Sequence, residues 1–464
     1  MPSAADSFVI GSWRVHPQLN RLVGPGGLTV QVEPKMMDVL VCLARRPGEV
    51  VPREALIDAV WPEVFISESV LTRAIAGLRR ALGDDARRPR FIETISKRGY
   101  RLIEAVSLEP AQALPEPVAA PAAPSYVIGQ WVRADGFYGR EFQLAEVMAG
   151  ARNGFWVVGT RRRGKTSFLK QLEHLAVAAP ARRLVPVFWD LQGVDTLDDL
   201  GFSFEEALAD ATPRLEELGA SAGGDDVFRM LGAVRRRLHE KGRTLLLLCD
   251  EAEALIALAE RSAAVVSRLR GAMLARDGVL TVLASGPRLW DLAVGSATSP
   301  FLDGFLPPLY LGALESASAR ALVRQLHMPT ELRPRLSDDD VAAVCRWGGG
   351  HPFLLQLLSK RTTELGDVDH AAAAVAGDRS VTSLFEVDLE LLDRGQQSTL
   401  DRLARGSATD RDVGSEPELA ELERLGLVVC GAGVTPRVEP PLLASFLAAR
   451  PEPGRSEESG TRHA

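Results

Sequence analysis

The residues best placed for chemistry lie in the run Gly159-Thr-Arg-Arg-Arg-Gly-Lys-Thr-Ser167. An apolar stretch, 155–158, ends just ahead of it, and a helical pattern of Phe168, Leu169 and Leu172 follows. Gly159 and Gly164 let the backbone curl until successive N–H groups face one anion. Lys165 can then reach the outer phosphates of a nucleotide, and the Thr166 hydroxyl can sit on Mg²⁺. The helix that starts there adds its positive end. Thr160, Arg163 and Ser167 complete the group expected against phosphate. The bland alternative, a glycine-rich turn with a solvated lysine, leaves a second feature downstream without a role.

That feature is Leu245-Leu-Leu-Leu-Cys-Asp-Glu251, an unbroken apolar strand ending in two carboxylates. Asp250 at the strand end can hold Mg²⁺ with Thr166, and Glu251 can orient or deprotonate an attacking water. A further run ends Ala284-Ser-Gly-Pro-Arg288. Ser285 could bond the γ-phosphate or its water, and Arg288 could neutralise transferring charge. A plain turn is the alternative for both. Glu251, Lys165 and Arg288 are thus the candidate catalytic groups.

The elements that must position these groups follow in order. Strands are expected at 155–158, 184–190, 244–249, 280–284 and 309–311, with helical patterns between them. That alternation predicts a parallel five-stranded sheet covered on both faces. Tyr138-Gly-Arg-Glu141 precedes the loop by about one helix, and Trp347-Gly-Gly-Gly-His-Pro-Phe353 turns into an apolar helix after the sheet.

Taken together, Gly139-Arg-Glu141, Gly159–Thr166, Leu245–Glu251 and Gly350-His-Pro352 resemble the motifs of STAND-type and archaeal-type ATPases of the AAA+-related P-loop class. The resemblance implies ATP and Mg²⁺ as cofactors and slow hydrolysis to ADP. It implies that Gly139, Arg140 and Pro352 border the adenine, that a helical lid reports nucleotide state, and that His351 is only the variable residue of its turn. A second-region pattern and arginine finger are not evident, so a ring is not implied. Arg161-Arg-Arg163 either strengthens the hold on phosphate or faces out to meet a partner's acid.

Residues 1–105 have a different character. A loosely alternating stretch from Phe8 to Val32 reads as short antiparallel strands, followed by helices from Pro34 and from near Pro52. A third helix, 67–82, carries Leu71, Ile75, Leu78 and Leu82 on one stripe, which turns Ser69, Thr72, Arg73, Ala76 and Arg80 outward. Small residues with two arginines suit a major groove. The segments 91–95 and 100–103 read as a hairpin presenting Lys97 and Arg98 at its tip. Singly, each arginine is more often a solvated surface group. The whole pattern resembles the OmpR/PhoB-type (ToxR/CadC-like) winged helix-turn-helix output domain, most closely in Gly48-Glu-Val-Val-Pro-Arg-Glu-Ala-Leu-Ile57, Trp61-Pro62 and Phe91-Ile-Glu-Thr-Ile-Ser-Lys-Arg-Gly-Tyr-Arg-Leu102. It implies that the third helix reads bases and the hairpin is the wing, with double-stranded DNA as partner. That domain usually follows a phosphorelay receiver; with no receiver ahead of it in this sequence, input is expected from elsewhere in the chain.

The expected organisation is therefore multidomain, α+β and α/β. A winged-helix domain spans 1–105, and a Pro/Ala spacer spans 106–125, reaching about 50–60 Å if extended. The P-loop ATPase core covers 126–312 and a helical lid 313–375. A winged-helix-like domain covers 376–449, with helices at 384–403 and 417–425, and a disordered tail covers 450–464. Its acidic residues argue for packing on the ATPase rather than on DNA, and in STAND-like proteins such a domain holds the closed state.

Bulk composition narrows the partners. Net charge is −7, yet residues 1–105 carry 15 Lys+Arg against 12 Asp+Glu, leaving −10 for the rest; within 67–101 the count is 9 against 4. A local basic face on an acidic chain is what a nucleic-acid contact needs. The four cysteines are far apart in apolar runs, which excludes a zinc or disulfide framework. No secretory leader or apolar run of membrane-spanning length is evident, so a cytoplasmic protein without membrane attachment is expected. The leading expectation is a transcription regulator whose DNA-binding arm is controlled by an ATP/ADP switch, self-associating in the ATP state and meeting RNA polymerase or another protein. The alternatives are an ATPase acting on DNA or partner proteins, as in replication, transposition or phage defence, and a signalling scaffold.

Overall fold

The computed structural model describes residues 8–17, 21–24, 29–32, 34–60, 68–84, 89–95, 98–108, 126–216, 226–290, 292, 301–406, 416–431 and 434–450. The chain divides into two units, Met1–Ala120 and Pro121–Ala464.

In the first unit, the strands Phe8–Ile10, Trp13–His16, Arg21–Val23 and Thr29–Gln31 form an antiparallel meander. The helices Pro34–Ala44, Arg53–Val60 and Glu68–Leu82 follow. A second antiparallel sheet orders Val50–Pro52, Gly99–Leu102 and Ile92–Ile95. Its outer strand Val50–Pro52 is too short for the sequence pattern to separate from a loop between helices. Val106–Leu108 pairs with Phe8–Ile10 and completes the first sheet. The domain therefore runs past the boundary expected at 105. The three residues alternate as a strand should, and only from 109 does the Pro/Ala stretch take over, outside the described residues. One core joins the two sheets through Phe8, Trp13, Leu40, Leu71, Leu78 and Leu102.

The second unit is built on a parallel sheet. Its strands are Gly154–Val158, Leu184–Asp190, Thr244–Asp250, Val279–Ser285 and Leu309–Tyr310. In spatial order, Gly154–Val158 lies between Leu309–Tyr310 and Val279–Ser285, with Thr244–Asp250 and then Leu184–Asp190 beyond. Residues alternate between two cores, so both faces are buried and the strands read as continuous apolar runs. Leu246, Leu248 and Val282 pack on one side with Phe168 and Leu172, while Leu245, Leu247 and Trp156 face the other with Phe204 and Val234.

Beyond the sheet come the helices Ser316–Val323, Asp338–Gly348, Pro352–Leu365 and Val368–Ala376. The stretch expected as one helix over 384–403 is two, Arg379–Glu390 and Arg394–Ala404. Asp393 caps the second, and its capping box with Gln396 is a start signal that fixes the break. Glu416–Arg424, the hairpin Val428–Gly431/Val434–Val438 and Pro441–Ala449 follow. These last elements share the core of the sheet's second face, through Leu400, Leu422, Val438 and Leu447. The expected tail, 450–464, lies outside the described residues after Arg450.

Candidate functional site

The buried strand Gly154–Val158 delivers the chain to Gly159, whose N–H donates to the Ser285 carbonyl at 3.2 Å. Gly164 adopts φ +92° and caps the helix Lys165–Ala178, a left-handed turn that suits glycine. Arg162 is also left-handed, at φ +57°, a backbone cost of about 1–2 kcal/mol for a residue with a Cβ. Lys165 Nζ donates to the carbonyls of Gly159 at 3.0 Å and Thr160 at 3.3 Å, so the cation lies over its own loop. The Ser167 hydroxyl accepts from Val132 N at 3.1 Å, and Gln171 takes Ala134 N at 2.7 Å. The segment ahead of Gly139 is thereby tied to the loop helix.

Asp250 ends its strand beside the Thr166 hydroxyl, opposite Asp190 in the parallel register. It is 4% exposed. Burial pushes its carboxyl up to about 6, Glu251 and Asp190 push the same way, and the Thr166 hydrogen bond opposes them. Its Oδ1 is buried with no protein partner. A buried carboxylate oxygen that lacks a donor, next to a threonine hydroxyl and further carboxylates, fits a divalent cation. Glu251 follows at φ +50°, exposed at the rim. Glu253, absent from the expected site, accepts the Gly286 N–H through Oε1 while Oε2 is buried without a protein partner. Burial raises its carboxyl and Lys165 opposes that shift, which places Glu253 between the loop lysine and the end of the fourth strand.

Ser285 ends the fourth strand, where its carbonyl accepts the Gly159 N–H. Its buried hydroxyl accepts from Trp156 Nε1 at 2.7 Å and donates to the Gly286 carbonyl at 2.9 Å. Trp156 in turn stacks on Trp290 at 5.6 Å, so this serine anchors an indole. Arg288 lies exposed in the short turn Pro287–Trp290.

Gly139, at φ +76°, lies where a Cβ would meet Ser318 Cβ at 2.9 Å. Arg140 caps the helix Glu141–Ala149 and donates to the carbonyls of Gly312 at 2.6 Å and Ala313 at 3.3 Å. Burial first, then the nearby Arg163, pull its guanidinium down to about 10. Tyr138 stacks on His327 at 4.2 Å, and Tyr126 donates to the Val323 carbonyl at 2.7 Å. The Gly139-Arg-Glu segment therefore reaches the helix Ser316–Val323 and the loop after the sheet. Pro352 opens the helix Pro352–Leu365, and Gly350 at φ +68° packs where a Cβ would meet Leu314 O at 2.7 Å.

Two contacts have no counterpart in the sequence pattern. Arg163 is expected against phosphate, but its guanidinium is 1% exposed and donates to the Gly426 carbonyl at 2.8 Å, between Glu416–Arg424 and the hairpin. Burial pulls it down to about 10, with Asp388 and Glu439 opposing. Asp388, on the helix Arg379–Glu390, accepts the Arg161 N–H at 2.9 Å. His351, expected to be a bystander, is buried near Arg163, and burial and that charge hold its ring well below the usual range, hence neutral. The loop from Gly159 to Gly164 is thus held by Asp388 and by the Gly426 carbonyl, both from the chain's last hundred residues.

In the first unit, Leu71, Ala74, Ile75, Leu78 and Leu82 of the helix Glu68–Leu82 are buried. Ser69, Thr72, Arg73, Ala76 and Arg80 lie on that helix, with side chains outside the described residues. Arg79 is a structural pin: Nε and a terminal nitrogen donate to Ile92 O at 3.2 and 2.9 Å, and the terminal nitrogen also to Thr94 Oγ1 at 2.8 Å. Asp84 accepts the N–H groups of Arg90 at 2.6 Å and Ile92 at 2.8 Å. Helix and hairpin are thereby fixed to one another. Arg98 is exposed at the hairpin tip, Lys97 lies outside the described residues, and Gly99 at φ +151° sits where any Cβ would drive into the Val51 carbonyl.

Comparison with known proteins agrees with this division. Residues 27–102 match the family described as Transcriptional regulatory protein, C terminal. The chain is 35% identical over 129 residues to the Transcriptional activator CadC of Escherichia coli, 25% of this chain and 25% of that protein. It is 44% identical over 70 residues to the Cholera toxin transcriptional activator of Vibrio cholerae, 15% of this chain and 24% of that protein. The match thus spans about a quarter of the length of each. The solved Walker-type ATPase PABY2304 of Pyrococcus abyssi aligns with 69% of this chain and 99% of its own, at TM-score 0.50 and 15% identity. Among the described residues no helix is long and apolar enough to cross a membrane. This chain carries, at its N-terminus, a winged-helix domain of the transcriptional regulatory protein C-terminal family, OmpR/PhoB-type, joined to a larger unit with the fold of a Walker-type ATPase.

Proposed function

We propose that this chain is a DNA-binding transcription regulator whose winged helix engages double-stranded DNA under the control of ATP and ADP at the phosphate loop. The observation that carries the reading is the double grip on that loop, Asp388 on the Arg161 amide and Arg163 on the Gly426 carbonyl. Nucleotide that fills the outer end of such a loop would bear on the elements that hold it, and this would couple its phosphate content to the C-terminal segment.

The loop amides and Lys165 would bind the phosphates, with Thr166 and Asp250 holding Mg²⁺. When bound, the cation draws charge from the outer phosphates. Glu251, exposed at the rim, or Glu253, beside Lys165, would accept the proton of an attacking water in a slow hydrolysis. Gly139, Arg140 and Pro352 border the adenine side. On DNA, Thr72, Arg73, Ala76 and Arg80 would face the major groove, and Lys97 and Arg98 would meet the backbone. Triphosphate favours a self-associating form in which paired arms gain an avidity that one arm lacks.

The test is selection of bound sequences from a random DNA pool, run with ATP and with ADP. Enrichment of repeated half-sites with ATP, and weak or unpaired sites with ADP, is expected. A pool left unenriched in both states would overturn the reading.

A further inference from the structure

We infer that Asp388 decides between nucleoside diphosphate and triphosphate at the phosphate loop, by keeping its carboxylate on the loop amide that a third phosphate would need. This rests on the nucleotide reading above and names the residue that sets its specificity.

Asp388 is 3% exposed and accepts the Arg161 N–H at 2.9 Å. Arg163 and Lys165 both lie near enough to favour its charge against the cost of burial. Backbone amides and the loop lysine are the donors that such a loop offers to phosphate. Here an acid of the chain itself already takes one of those amides and lies in the field of the lysine. In a loop of this kind the lysine reaches the β and γ phosphates, while the amides at the helix start cradle the inner ones. An anion in the lysine's field, bonded to the amide two residues past Gly159, therefore stands at the outer end of the loop. A diphosphate can rest on the amides from Gly164 onward and leave Asp388 in place. A triphosphate brings further negative charge to a site where water is scarce and like charges repel strongly.

Displacing Asp388 has consequences beyond the loop. Its neighbours Leu384, Phe385 and Leu389 are buried in the core shared with Pro441–Ala449, and the Phe385 and Phe446 rings lie 5.5 Å apart. The same helix runs on to Leu391, which packs near Gly286 at the end of the fourth strand. Withdrawal of the carboxylate thus releases the loop from a helix, Arg379–Glu390, that packs against both the sheet end and the helix Pro441–Ala449. Diphosphate is compatible with the grip, and triphosphate competes with it.

The experiment is calorimetric titration of the full chain and of Asp388→Asn and Asp388→Ser with Mg²⁺-ADP and with Mg²⁺ and the β,γ-imido analogue of ATP. The analogue should tighten by about tenfold or more in the variants, with ADP changed far less, because only the outer phosphate meets the missing charge. Equal shifts for both nucleotides, or none, would overturn the inference alone. Failure of either nucleotide to bind any of the three proteins would overturn the proposed function along with it. Should both variants fail to fold, hydrogen–deuterium exchange of the unaltered chain decides. Faster exchange over 379–390 with the analogue than with ADP is expected, and identical exchange would sink the idea.

Discussion

The Arg163 guanidinium leaves the loop Gly159–Gly164 and donates to the Gly426 carbonyl at 2.8 Å, 263 residues further along the chain. Around this contact the backbones approach so closely that Gly426 has no room for a Cβ, which would meet Ala313 N at 2.6 Å. The loop that should hold phosphate is also the seat of the C-terminal elements.

Replacing Arg163 with methionine keeps much of the volume and removes the donor. The chain should lose about 1–3 kcal/mol of stability, as for a broken charge-assisted bond to a buried carbonyl. Proteolytic nicking after residue 376 should become faster. Unchanged melting and unchanged nicking would mean that the contact holds nothing.

Lys165 should behave in the opposite manner. Its hydrogen bonds run only to its own loop, so Lys165→Ala should leave the ligand-free melting temperature nearly unchanged. Nucleotide affinity should fall by about tenfold to a hundredfold, because the variant has no ammonium to set against phosphate. Fluorescent-nucleotide titration reads this directly.

Asp250 gives a pH dependence. Its carboxyl is raised from 3.8 to about 6, so the folded state binds the proton more tightly than the unfolded one. That stabilising effect is fully present below pH 3.8 and is lost as pH rises through about 6. Between pH 7 and 5.5, Mg²⁺ binding should weaken as the proton competes, and Asp250→Asn should abolish both the binding and its pH dependence. Calorimetry with Mg²⁺-ADP at the two pH values checks this.

The winged helix separates two kinds of arginine. Arg79→Ala should destabilise the domain by about 1–3 kcal/mol, since it releases the part-buried Ile92 carbonyl and the exposed Thr94 hydroxyl on the hairpin. Arg73→Ala or Arg80→Ala should leave melting unchanged and weaken DNA binding. Loss of a base-facing arginine should cost about 1–3 kcal/mol of binding and relax the sequence preference, whereas Arg98→Ala, at the backbone, should reduce the salt slope by about 1. Gel shifts across a salt series, paired with thermal melts, distinguish the two classes.

Local pattern carries much of this molecule. All five strands of the parallel sheet are visible in the sequence because strands buried on both faces must be apolar throughout, and the loop glycines mark a backbone geometry few other residues tolerate. The helix stripe Leu71, Ile75, Leu78 and Leu82 locates its buried face for the same kind of reason. Val106–Leu108 merges with the spacer because a three-residue strand has too little pattern to stand against the prolines behind it. The grip on the loop is not legible at all. Asp388 and Arg161 are 227 residues apart, and nothing near either one announces the other. The bond from Trp156 to the Ser285 hydroxyl is hidden for a related reason, since only the packed structure brings the two strands together.

On the proposed function, nucleotide state sets DNA affinity. Fluorescence anisotropy of a selected DNA site, titrated with the full chain at one salt concentration, tests it most directly. The chain loaded with the β,γ-imido analogue of ATP should bind at least about tenfold tighter than the ADP-loaded chain, with Lys165→Ala indifferent to either nucleotide. Coincident binding curves for the two loaded states of the unaltered chain would contradict the account.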